Sequence, residues 1–220
     1  FRYQGAGHML GSASVYLEGR TNGKPIRVGF SGDVGRPGLP IIQDPEPMPQ
    51  VDYLILESTY GDRLHKPLEH VSEKLADTVS RTAARGGKII APAFAVGRTQ
   101  QLVVMLHDLV QRKKIPSIPI YVDSPLAVNV TDIFRKHEEL FDADVRRFLD
   151  NGSDPFGFRM LRYVRDVQQS KAINDSRTPC LIISASGMCE AGRVLHHLRN
   201  NVEDGRNTVL ITGFQAENTL

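Results

Sequence analysis

An α/β fold, with a mainly parallel sheet flanked by helices, is predicted by three observations. From about residue 67 onward, apolar runs of strand length alternate with stretches of helical period, the pattern of consecutive βαβ units. The connections carry Gly, Pro, Ser or Asp, which end strands and start helices. Residues 12–31 instead alternate apolar and polar positions at period two around a turn, so a hairpin precedes the α/β part.

In that hairpin, Ser12 to Glu18 places Ala13, Val15 and Leu17 on one side, and Ile26 to Ser31 does the same with Ile26, Val28 and Phe30. Thr21 to Pro25 is turn material. A proline-rich loop follows from Pro37 to Pro49, then the apolar run Val51 to Leu56, which reads as a buried strand ending at Glu57. A helix is expected from about Pro67 to Arg85, with Leu68, Val71, Leu75 and Val79 on one face and a stop at Gly86-Gly87. Lys88 to Phe94 reads as a strand, Arg98 to Lys114 as a helix through Leu102, Leu106, Leu109 and Val110, and Ile118 to Val122 as a strand. Leu126 to about Lys171 reads as mostly helical, interrupted at Gly152 to Gly157. The strand Cys180 to Ser184, a helix from about Glu190 to Asn200 and the strand Asn207 to Thr212 complete the series.

The 220 residues suffice for one large domain, or for one domain and part of another. No run approaches the roughly 20 apolar residues that span a bilayer, and the opening Phe1-Arg2-Tyr3-Gln4 is not a signal peptide. The chain starts without Met and is read as a piece of a longer protein. Its two cysteines, Cys180 and Cys189, make neither a disulfide framework nor a Cys-rich zinc site, so a reducing cytoplasm is expected. The net charge of +2 does not select a partner. The clusters Arg112-Lys113-Lys114, Arg135-Lys136 and Arg146-Arg147 read first as solvated helix faces.

Chemistry concentrates in two places. Antiparallel pairing sets the start of the first hairpin strand beside the end of the second. His8, in "GAGHMLGSAS", and Asp33, in "GFSGDVGR", should therefore meet at the open end. Both side chains suit zinc, and Asp can bridge two ions; a histidine satisfied by a loop carbonyl is the plainer alternative for His8. Glu57, at a strand end, is a further candidate. The second place is the carboxyl edge of the parallel sheet, where ligands of open α/β sheets bind. Its loops read "APAFAVGRTQ", "VDSPLA" and "SASGMCEAGR". Helix starts there, with Arg98, Ser124, Ser184 and Ser186, suit phosphate. One such loop alone reads as an ordinary helix cap; three together point to a phosphate-lined groove.

In order and spacing, "GAGHMLGSAS", "GFSGDVGR" and "YLILESTYGDRLH" resemble the third and fourth metal motifs and motif A of the β-CASP branch of the metallo-β-lactamase superfamily. "APAFAVGRTQQL", "VDSPLA" and "SASGMCEAGRVLHHL" resemble the β-CASP domain of its RNA-processing members, which are similar to the nuclease subunit of the cleavage and polyadenylation specificity factor. The resemblance implies part of an αββα sandwich over residues 1–60, a β-CASP domain over 61–212, and a return toward the lactamase core over 213–220. It implies a zinc-dependent RNA phosphodiester hydrolase, with His8 as ligand of one zinc ion, Asp33 bridging two, and Glu57 as an acid that orients a partner histidine and handles protons. Two ions about 3.5–4 Å apart would acidify a bridging water and clamp the phosphodiester for in-line attack. Arg98, Ser124, Ser184, Ser186 and His65, which follows Glu57 in "STYGDRLH", are expected to bind substrate. The partner implied is single-stranded RNA, with no membrane; a homodimer is one arrangement left open.

The family's His-x-His-x-Asp-His motif should precede His8, and two more histidines should follow "GFQAENTL", so two of the expected ligands fall in this chain and the piece alone should be inactive. His196 and His197 are read as helix positions, one packed and one facing solvent or RNA, and His70, His107 and His137 as surface or half-buried. Two alternatives stand beside the nuclease: an inactive homologue that binds RNA or scaffolds a complex, and a small-molecule hydrolase of the wider superfamily, which would lack the long insertion between about residues 60 and 212.

Overall fold

The computed structural model describes residues 1–64 and 67–219. Two sheets organise the chain. The first has four strands, β1 (Arg2–Gly5), β2 (Ala13–Thr21), β3 (Lys24–Phe30) and β4 (Tyr53–Ile55), ordered as numbered. β1 and β3 pair antiparallel with β2, and β4 runs parallel to β3. The hairpin turns on Asn22-Gly23, both at positive φ (51° and 76°), as a two-residue turn matched to strand twist requires. Pro25 lies inside β3, opposite Arg20, so the turn is tighter than the Thr21 to Pro25 segment expected.

The second sheet is wholly parallel, in the order β7-β6-β8-β5-β9. Its strands are β5 (Ile89–Pro92), β6 (Ile120–Val122), β7 (Leu161–Tyr163), β8 (Leu181–Ser184) and β9 (Thr208–Val209). The helices are α1 (Leu68–Ala84), α2 (Arg98–Gln111), α3 (Pro125–Phe134), α4 (Ala143–Asp150), α5 (Val167–Asp175) and α6 (Val194–Asn201). Every residue of β5 and β8 is buried, as expected of central strands covered on both faces. Val79 of α1, Leu106 of α2 and Phe134 of α3 pack into the same core as Ile89, Ile183 and Val122. Among the described residues no helix is long and apolar enough to cross a membrane.

Four expectations need correction. The run Val51 to Leu56 contains a strand, but not a buried one: Tyr53, Leu54 and Ile55 are 63%, 49% and 58% exposed. β4 is the edge of its sheet, and among the described residues no layer buries its side chains. The segment from Leu126 to Lys171 is less helical than expected, because Leu161-Arg-Tyr163 adds β7 at the sheet's edge. Three residues are too short to show a period. On α1, Leu75 and Val79 point inward, whereas Val71 is 39% exposed. His107 is buried rather than superficial, its ring between Phe148 and Phe158 and its Nδ1 against the Pro155 carbonyl.

The double glycine after α1 divides two tasks. Gly86 takes the left-handed conformation that closes the helix, at φ 76° and with nothing near a would-be Cβ. Gly87 lies so close to Arg206 that a Cβ would sit 1.8 Å from its carbonyl oxygen. Gly87→Ala is expected to cost about 2 kcal/mol by displacing the approach to β9, and Gly86→Ala about 1 kcal/mol by backbone strain alone. Urea unfolding of the full-length protein checks the order; equal losses would contradict the close-approach account.

Candidate functional site

The corner at the open end of the hairpin is built by backbone contact. Pairing of Gly5 with Ala13 leaves residues 6–12 to reverse the chain, with Gly7 and Gly11 at positive φ. Ser12 holds the reversal: its Oγ accepts from the amides of His8 and Met9, each at 3.2 Å. After β3, the Gly35 amide donates to the Ala6 carbonyl at 2.8 Å. A Cβ on Gly35 would lie 1.7 Å from the Gly7 carbonyl oxygen and 2.7 Å from the His8 nitrogen. The two glycine-rich loops are thus in direct contact, with His8 half-buried and Asp33 exposed.

Glu57 completes the corner. Ser31 Oγ accepts from the Glu57 amide at 3.0 Å, and Glu57 Oε1 accepts from the Val34 amide, next to Asp33, also at 3.0 Å. Hydrogen bonds from the Thr59 side chain and the Val34 and Thr59 amides, together with nearby His8, hold the Glu57 carboxyl below its ordinary pKa against the opposing effect of burial. His8, Asp33 and Glu57 therefore share one neighbourhood. Imidazole and carboxylate oxygen are the donor types of catalytic zinc sites. Among the described residues, however, no group of three or more His, Cys, Asp or Glu stands close enough to hold a metal ion. The donors fit in kind and fall short in number.

The second set lies alongside. The loop of His8 touches the start of α2, where a Cβ on Gly97 would lie 3.4 Å from Met9 Cβ. Arg98, the next residue, donates from Nη1 to Gln101 Oε1 at 3.0 Å. Although Arg98 remains exposed as a residue, crowding around its guanidinium disfavours the charge and lowers its pKa. Tyr60 and Arg36 are close by, and Tyr60 meets Phe214 edge to face at 6.2 Å. Gln215 Nε2 donates to the Gly187 carbonyl at 2.9 Å, and a Cβ on Gly187 would strike the Phe94 ring at 2.7 Å. The loops after β5, β8 and β9 are thus contiguous.

The three serines differ in placement. Ser186 is half-buried and accepts from the Glu190 and Ala191 amides. Ser124 is the N-cap of α3, 6% exposed, accepting from the Ala127 amide. Ser184 is 1% exposed, and its hydroxyl donates to the Asp123 carbonyl at 2.8 Å. That bond commits the one Ser184 hydroxyl proton to the protein's own backbone. His65 lies outside the described residues. A cavity of about 460 Å³, lined by Met105, Asp108, Arg112 and Phe148 among others, contains none of the candidate residues.

Sequence reasoning missed Asp123. It is wholly buried and bonded to Arg193, His197 and Ser170. The signal was present: a carboxylate directly after an apolar strand, the same pattern that singled out Glu57. His197 is the packed member of its pair, and His196 the exposed one.

Residues 99–220 match the model of the Beta-Casp domain. The chain belongs to the β-CASP family. It is 34% identical over 215 residues to a ribonuclease of Thermus thermophilus, covering 98% of this chain and 48% of that protein. It is 35% identical over 226 residues to an RNase J-like protein of Methanocaldococcus jannaschii, covering 100% of this chain and 50% of that protein. Subunit 3 of the cleavage and polyadenylation specificity factor of Dictyostelium discoideum is 30% identical over 217 residues, 98% of this chain and 27% of that one. The chain thus spans about half, or less, of the length of these β-CASP relatives.

The Glu57 bonds carry a pH dependence of definite sign. Its folded-state pKa is depressed, so its contribution is present above the ordinary Glu value, about 4.3, and is lost as pH falls through the lowered value. Hydrogen-exchange protection of the Val34 amide should weaken across that acid window. In Glu57→Ala it should already be weak at neutral pH. Full protection of Val34 in that variant would contradict the geometry.

Proposed function

We propose that this chain forms the catalytic corner and much of the RNA groove of a metal-dependent, single-strand-specific RNA phosphodiesterase. The observation that supports it is the contact of the two glycine-rich loops that carry His8 and Asp33, with Glu57 bonded to the turn after β3, next to the start of α2. The names of the relatives, a ribonuclease, an RNase J-like protein and a cleavage-factor subunit, agree with that chemistry. In this reading residues 1–60 belong to the lactamase-like core, 61–212 to the β-CASP domain, and 213–220 return toward the core.

His8 and Asp33 would hold zinc together with further donors, since two ligands fall short of the three that catalytic zinc sites use. When bound, the metal supplies Lewis acidity toward the phosphodiester and an activated water. The residues of this chain do the rest. Ser12 fixes the backbone that carries His8, and Gly35 sets its distance from the Asp33 turn. Glu57, held ionised, accepts or steers a proton at the edge of that turn. Arg98 places a cation beside the corner for a backbone phosphate, and the hydroxyls of Ser186 and Ser124 lie at neighbouring loop ends.

Asp33→Ala in the full-length protein is expected to lower metal-dependent RNA cleavage by about 10³-fold or more while leaving the fold intact. Undiminished cutting would reject the assignment. Arg98→Ala should weaken RNA binding and reduce the slope of log affinity against log salt by about 0.7, one single-strand phosphate contact. An unchanged slope would remove Arg98 from the groove. The alternative, an RNA-binding homologue without catalysis, predicts salt-dependent RNA binding by the full-length protein without turnover.

A further inference from the structure

Two wholly buried polar side chains lie behind the loops at the carboxyl edge of the parallel sheet. Asp123, at the end of β6, and His197, on α6, are both wholly buried. Asp123 Oδ1 accepts from Arg193 Nη1 at 2.6 Å; its Oδ2 accepts from Ser170 and faces His197 Nε2 at 2.6 Å. The other ring nitrogen of His197, Nδ1, lies 2.9 Å from Asn174 Oδ1. Its partner's identity follows from the network. Asn201 faces the His197 carbonyl at 2.8 Å, and a carbonyl only accepts, so that atom of Asn201 is the amide nitrogen. The same nitrogen meets Asn174 at 3.0 Å, so the Asn174 atom is the oxygen.

Both nitrogens of His197 thus face oxygens, Nε2 the Asp123 carboxylate and Nδ1 the Asn174 amide oxygen. A buried carboxylate requires donors at contact. Asp123 is shared between His197 and Arg193. Burial opposes the Asp123 charge, but the bonds from His197, Ser170 and Arg193 outweigh it and depress its pKa. Lys88 approaches the same end of α5, donating to the carbonyls of Ile173 and Asn174.

The array ties loops rather than helices alone. Arg193 ends the loop that contains Ser186, and its guanidinium also donates to the Val164 and Arg165 carbonyls beyond β7. Asp123 immediately precedes Ser124; its amide donates to the Ile183 carbonyl and its own carbonyl accepts from Ser184. We propose that Arg193, Asp123 and His197 form a positioning device that locks the 184–193 loop against the β6–α3 loop, fixing the offset between Ser186 and Ser124. Its effect on RNA rests on the function proposed above; the loop lock does not.

The test compares the full-length protein with its Asp123→Asn variant. Cys189, 4% exposed within the locked loop, reports release: its alkylation, followed by peptide mass spectrometry, should accelerate on the order of tenfold in Asp123→Asn. Unchanged alkylation overturns the lock. With RNA, KM should rise on the order of tenfold with kcat held within about threefold. A loss confined to kcat would place the array in the chemistry and contradict a positioning role. Where Asp123→Asn does not fold, His197→Gln, which removes the imidazole from Asp123, carries the alkylation and kinetic measurements. If the full-length protein cleaves no RNA, the proposed function fails, while the alkylation rate still decides the array.

Discussion

The backbone of Gly35 lies against that of Gly7, close enough that the carbonyl oxygen of one occupies the space a Cβ on the other would need. Everything proposed for the catalytic corner depends on that approach. An imidazole and a carboxylate on separate strands act together only if their backbones are held at a short, fixed distance, and side-chain packing alone rarely fixes one so tightly. Here the hydrogen bond from Gly35 to Ala6, the Ser12 bonds beneath His8 and the Glu57 bond to Val34 hold the two loops from three sides. Glycine is required because closeness, rather than flexibility, is what the contact needs.

The parallel sheet plays the complementary part. Its central strands are sealed on both faces, so their carboxyl ends are rigid posts on which loops can be set. Asp123 makes one of those loops electrostatically costly and therefore specific: a buried carboxylate tolerates no arrangement that removes its donors. Contacts from Gly97 to Met9 and from Gln215 to Gly187 join these posts to the hairpin corner and to one another. Hairpin and α/β part thus meet where the candidate residues lie.

The hairpin was legible because Ala13, Val15 and Leu17 alternate and Asn22-Gly23 has one favoured turn. β5 and β8 were legible as unbroken apolar runs between turn residues. β7 was not, because Leu161-Arg-Tyr163 alternates over only three residues, too few to show a period. Tyr53 to Ile55 misled in the opposite direction: composition announces burial, but burial depends on a covering layer that a strand's own residues do not encode. At the site, antiparallel geometry brought His8 toward Asp33 from pairing alone. Serines could not be sorted in that way. Ser184 and Ser186 differ by two positions, and only the fold turns one hydroxyl to the Asp123 carbonyl and leaves the other at a loop surface. The Arg193–Asp123–His197 array joins residues 70 or more positions apart, a separation at which no local pattern signals contact.

The most direct measurement is anomalous diffraction at the zinc edge from crystals of the full-length protein. A ring nitrogen of His8 and a carboxylate oxygen of Asp33 should both fall within about 2.2 Å of metal peaks in one cluster. Peaks remote from both side chains, or an imidazole and carboxylate turned apart around an empty corner, would contradict the account.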